Sequence, residues 1–174
     1  MAKIKSYHDL AYDEATGIPV VFNKEQYATR VGRYYHAHID TPELADGDSC
    51  ELYFKAPPSS VETYMVVQGN LELAGSIALF RSSTVSLSGS VVTVFNDEHN
   101  SLNSSTVAVR SSPTLTDSGT QFDHFIIGGG KRGNTGGEGV GAFVPKHGTI
   151  YTIRITSDAG SNKGQIRLEW GEQA

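Results

Sequence analysis

From Arg33 onward the chain alternates apolar and polar residues in short runs. In SCELYFK, Cys50, Leu52 and Phe54 alternate with Glu51, Tyr53 and Lys55. In STVAVR, Val107 and Val109 alternate with Thr106, Ala108 and Arg110. TIYTIRIT sets Tyr151, Ile153 and Ile155 against Thr152, Arg154 and Thr156, and GQIRLEW sets Ile166, Leu168 and Trp170 against Gln165, Arg167 and Glu169. Successive side chains of a strand point to opposite faces, so this period of two marks half-buried strands. ETYMVVQ, SIALF, SVVTVF and FDHFII predict further strands. Between the runs lie ADGDS, QGN, LSGS, TDSGT, KHGT and DAGSNKG. Gly supplies positive φ there, and Asp, Asn and Ser bond back to the chain, so each predicts a turn. They recur often about every ten residues, the spacing of sandwiches and barrels. No window long enough for a stable helix, about 12 residues, carries a helical stripe. The pattern predicts an all-β, antiparallel β-sandwich of jelly-roll type.

Residues 1–31 lack this alternation. IPVVF, from Ile18 to Phe22, is their one compact apolar patch, and NKEQYATR has room for only one or two helical turns. The expected division is an extended N-terminal arm over 1–31, lying on the body or reaching a neighbour, and a sandwich domain over 32–174.

Composition narrows the class. A chain of 174 residues buries roughly 70% of the surface its unfolded form exposes, and so needs neither disulfide nor metal to hold a core. Cys50 is the single cysteine, which excludes an internal disulfide and a cysteine-based zinc framework; it is expected as a small buried hydrophobe. The net charge of −5 argues against a nucleic-acid surface, which needs clustered Lys and Arg. The start MAKIKSYHDLAYDEATG has no apolar run of signal-peptide type, and no stretch approaches the ~18 apolar residues of a membrane span. A soluble protein made in the cytoplasm, without membrane contact, is expected.

Four stretches bear on chemistry. In HAHIDTPE, His36 and His38 fall on one strand face with Glu43 beyond them. Two imidazoles and a carboxylate can hold a metal ion, as in cupins. The rest of that pattern is missing: position 30 is Arg, Gly32 is too close, Cys50 stands where a glycine belongs, and VPKHGT has the wrong order. Pro42 also argues that the strand has ended before Glu43. IIGGGKRGNTGGEGVG, from Ile126 to Gly141, fails as a P-loop because Arg132 follows Lys131 and no helix pattern comes next. It is expected as a long exposed loop, mobile or pinned by a neighbouring subunit. Glu51, Glu62, Glu72, Asp123 and Glu169 lie on or near strands, but no spacing singles out a hydrolytic pair. No G-x-S-x-G elbow occurs. No catalytic residues, cofactor or metal are expected.

The run FNDEHNSLNSSTVAVRSSPTLTDSGTQFDHFIIGGG, from Phe95 to Gly130, resembles a family of tailed-phage structural proteins. The matching positions are Asn96, Asn100, Asn103, Pro113, Thr114, Gly119 and Thr120, followed by the Gly-rich loop, GTIYTIRIT and the closing strand at Trp170. Upstream, LYFKAPPSSVETYMVV is similar to the family's strand, proline turn and strand. The likeness spans about Tyr34 to Trp170. It departs from the family at Arg81, where an acidic residue is usual, and in DEHNSLN, where an Arg is usual. The resemblance implies a capsid decoration (head auxiliary) protein on the capsid exterior. It would be a jelly roll that binds the major capsid protein and itself, as a homotrimer, and stabilises the shell.

The alternative is a carbohydrate-binding or host-adhesion module of a phage fibre or tail. Tyr34, Tyr35, Tyr53 and Tyr64 would then stack on a host-surface glycan; cross-strand packing is the competing role for them. For the decoration reading the candidate interface residues are His36 and His38, with Gly128, Gly129, Gly130, Lys131, Arg132 and Asn134 of the Gly-rich loop. The two histidines are expected to make interface or arm contacts, so that acidification towards pH 5 charges them and loosens the assembly.

Overall fold

The computed structural model of the protein describes residues 11–12, 19–20, 32–58, 60–87, 89–98, 100–128 and 140–173. Among them there is no helix. The strands are β1 (Ala11–Tyr12), β2 (Pro19–Val20), β3 (Tyr34–Asp40), β4 (Ser49–Lys55), β5 (Glu62–Leu71), β6 (Gly75–Arg81), β7 (Thr84–Leu87) and β8 (Ser90–Val91). They continue with β9 (Phe95–Asn96), β10 (Ala108–Ser111), β11 (Thr114–Asp117), β12 (Thr120–Ile127), β13 (Val140–Phe143), β14 (Ile150–Ser157) and β15 (Gly164–Gln173).

Two sheets carry the fold. One has six strands in the order β12-β6-β14-β4-β10-β8; the other has five, in the order β13-β5-β15-β3-β9. Every pairing is antiparallel. The alternation read from the sequence sets the inward faces. Leu52, Phe54, Ile153 and Ile155 of the first sheet meet Met65, Val67, Ile166, Leu168 and Trp170 of the second in one apolar cluster. Each of these is at most 1% exposed. Full burial of one such side chain is worth about 1.5–3 kcal/mol. Cys50 lies in the same cluster, buried as expected.

The chain changes sheet at each step from β3 to β6, and again from β12 to β15. Between these stretches, residues 82–119 make an excursion. β10 pairs with β4 and β9 with β3, so the excursion widens both sheets on the same side. β7 and β11 pair with each other as a separate ribbon.

Three expectations are corrected. QGN is not a turn: β5 runs through Gln68, Gly69 and Asn70, which pair with Arg167, Ile166 and Gln165. Gly69 is there for close approach, since a Cβ at that position would sit 2.2 Å from Ile77 Cδ1. SVVTVF is not one strand. Ser90 and Val91 belong to the six-stranded sheet and Phe95 to the five-stranded one, while Val92 and Val94 pack on the core as the chain crosses between them. Tyr34, Tyr35 and Tyr53 are not exposed platforms; they are 7%, 2% and 7% exposed. Most of the expected arm lies outside the described residues, which include only its paired dipeptides Ala11–Tyr12 and Pro19–Val20.

Candidate interaction surface

β3 ends at Asp40, before Pro42, and its outward residues are Tyr34, His36, His38 and Asp40. Alternation therefore puts both histidines on the outer face of the five-stranded sheet, as the sequence predicts. Their rings stack at 6.2 Å, and Phe95 of β9 stacks on His36 at 5.2 Å and on His38 at 6.0 Å. His36 Nδ1 lies 2.6 Å from Asp97 Oδ1. In register, His36 faces Glu169 and His38 faces Arg167. Arg167 Nε donates to Glu169 Oε1 at 2.5 Å, and the Tyr34 hydroxyl donates to Glu169 Oε2 at 3.0 Å.

Glu43 does not join the histidines. It lies after the strand, 3.9 Å from Lys163 Nζ. Among the described residues no group of three His, Cys, Asp or Glu side chains gathers to hold a metal ion. The carboxylates weighed for hydrolysis are also dispersed. Glu51 is held by Arg154 at 2.6 Å on the outer face of the six-stranded sheet, and Glu169 lies on the outer face of the other. The whole core separates them, so they share no cleft. Gly128 is exposed. Gly129, Gly130, Lys131, Arg132 and Asn134 lie outside the described residues.

The Asn-rich turn has a structural task that its composition only hinted at. The carbonyl of Gly32 receives Asn96 Nδ2 at 2.9 Å, Asn103 Nδ2 at 3.1 Å and Ser101 Oγ at 3.2 Å. Gly32 has φ +65°, and a Cβ there would meet Ser101 Oγ at 2.2 Å. Both facts require glycine. The turn therefore grips the backbone at the point where the chain enters β3. Next to it, Glu172 is buried at 5% exposure. Its carboxylate accepts from Ser105 Oγ at 2.5 Å, Thr106 N at 3.0 and 3.1 Å, Thr106 Oγ1 at 2.9 Å and Trp170 Nε1 at 3.0 Å. No motif marks Glu172 in the sequence. The signal was positional: it continues the inward face of Ile166, Leu168 and Trp170, where a carboxylate must find donors.

No protein-family model and no curated protein matches this chain. Among the described residues no helix is long and apolar enough to cross a membrane. Function must therefore be sought in the fold and its surface.

Proposed function

We propose that this protein is a non-enzymatic virion structural protein of a tailed phage, a capsid decoration protein that binds the outside of the shell as a homo-oligomer and stabilises it. The observation that carries the reading is the build of the excursion between β6 and β12. Of the positions that carry the family resemblance, Asn96, Asn100, Asn103, Pro113, Thr114 and Gly119 fall in this segment, and Thr120 opens β12. Asn96 and Asn103 brace it against Gly32. The strand order supports a jelly roll: β13-β5-β15-β3 faces β12-β6-β14-β4, with consecutive strands changing sheet. Fold alone does not specify function, so the resemblance and the braced excursion bear the weight. The expected partners are the major capsid protein and further copies of this chain, on the capsid exterior, with no cofactor.

The test is binding to purified phage capsids that lack the protein. It is expected to co-sediment in a saturable, lattice-defined ratio and to raise the temperature at which the shells open. Capsids that neither bind it nor gain heat resistance would refute the reading. The adhesion alternative has three of its four stacking tyrosines buried.

A further inference from the structure

Residues two apart on a strand share a face, with Cα atoms about 6.7 Å from each other. The rings of His36 and His38 on β3 lie closer than that, 6.2 Å between centroids and 19° from parallel. Phe95 lies 5.2 Å from the first ring and 6.0 Å from the second. The three centroids form a nearly equilateral triangle, so Phe95 stands beside the pair and not between its rings. A zinc–imidazole bond of about 2.0–2.1 Å puts the ring centroid roughly 3.2 Å from a bound ion. Two imidazoles can then share an ion while their centroids are up to about 6.4 Å apart. The pair is within that reach, and what remains is a turn of the side chains that aims both rings at one point. His38 is exposed, so its ring can turn without displacing core atoms.

His36 is already oriented as a ligand. Its Nδ1 lies 2.6 Å from Asp97 Oδ1. An ionised carboxylate only accepts, so Nδ1 carries the proton and Nε2 carries the lone pair. Metal-binding histidines are commonly held this way, by a carboxylate on the ring nitrogen that does not touch the ion. The charges around the pair suit a cation. Asp40 follows His38 on the same face, and its carboxylate accepts from the neutral Gln165 amide at 3.0 Å. Across the register Arg167 faces His38 and Glu169 faces His36, and these two are paired with each other. Arg167 is the cation that would oppose a bound ion, and Glu169 matches its charge. Asp97 and Asp40 then leave the patch net negative.

We infer that His36 and His38 chelate a divalent transition-metal ion, with Asp97 fixing the His36 ring. Imidazole suits zinc, nickel and copper, whereas calcium and magnesium prefer oxygen. Among the described residues no group of three His, Cys, Asp or Glu side chains gathers to hold a metal ion. A chelate of two imidazoles therefore leaves further positions on the ion for water or for a donor from another molecule. The cupin pattern fails in the sequence because its other ligands are missing, and a two-imidazole chelate needs none of them. The inference does not depend on the capsid reading and assigns no catalysis.

The test uses full-length protein without a histidine tag, stripped with a chelator and titrated at neutral pH by calorimetry. Zinc and nickel ions are expected to bind saturably, and magnesium ion is expected to give no binding. His36→Gln and His38→Gln are each expected to weaken binding about tenfold or more. Asp97→Asn is expected to weaken it by about tenfold as well, the usual cost of losing the group behind a ligating histidine. His124→Gln, an exposed position on β12 of the other sheet, is expected to bind like wild type. Urea unfolding checks that each variant is folded. A second readout needs no variant: substoichiometric copper ion is expected to broaden the His36 and His38 ring signals of the wild type first in NMR spectra. No saturable binding, binding that survives both histidine changes, or broadening that begins at other histidines would overturn the inference.

Discussion

Replacing Glu172 tests a buried side chain that accepts five hydrogen bonds. Its buried carboxylate takes hydrogen bonds from Ser105, Thr106 backbone and side chain, and the Trp170 indole. Glu172→Ala leaves the Thr106 amide without that acceptor, while Trp170 Nε1 keeps only Ser105 Oγ at 3.1 Å. A hydrogen bond to a charged group contributes about 1.5–3 kcal/mol when taken singly. These bonds share one acceptor and do not add. Removing the carboxylate also ends the cost of burying it. The expected net loss is roughly 2–4 kcal/mol. For a chain of this size that lowers Tm by roughly 5–15 °C. Glu172→Gln keeps the shape and one acceptor oxygen, so its loss is expected near 1–2 kcal/mol. The assay is urea unfolding of both variants, with hydrogen exchange at the Thr106 and Val107 amides as the local readout. Faster exchange there, ahead of global unfolding, is expected for Glu172→Ala. A Glu172→Ala protein within about 0.5 kcal/mol of wild type, the ordinary effect of a surface change, would refute the reasoning. So would a Gln variant as damaged as the Ala variant.

Other outcomes follow from the packing. Gly69→Ala is expected to destabilise by about 1–3 kcal/mol through overpacking, and adding Ile77→Val, which deletes the clashing Cδ1, is expected to restore part of that in thermal unfolding. Asn96→Ala removes one brace from the Gly32 carbonyl and is expected to speed protease cleavage within residues 97–105, read by mass spectrometry, before the core is lost. Burial pushes the Cys50 thiol above its ordinary 9.0, so a thiol reagent is expected to react with it only as the protein unfolds. Burial and then the Glu172 charge push the Tyr35 phenol above its ordinary 10.0. For both groups the folded state holds its proton more tightly than the unfolded state. Their contribution is therefore complete below about pH 9 and lost as pH rises through the folded values. Tyr35→Phe is expected to flatten the alkaline decline in denaturant midpoint, and an unchanged slope would count against its burial.

The sequence by itself determined the fold class and most strand faces. Cys50, Leu52 and Phe54, or Ile166, Leu168 and Trp170, could only be inward sets, because a period of two leaves one face for the core. It also determined that no metal motif was complete around His36 and His38. Alternation does not say which sheet a strand joins, so SVVTVF read as one strand although its ends belong to different sheets. It does not say how close another chain segment comes, so Gly69 read as a turn although it makes room for Ile77. Nor does it say when both faces of a strand are covered, as at Tyr53 and Thr152. The placement of Asp97 beside His36 and the grip of Asn96 and Asn103 on Gly32 were decided only by the tertiary structure. Each depends on residues far apart in the chain, and register between strands fixes those distances where local pattern cannot.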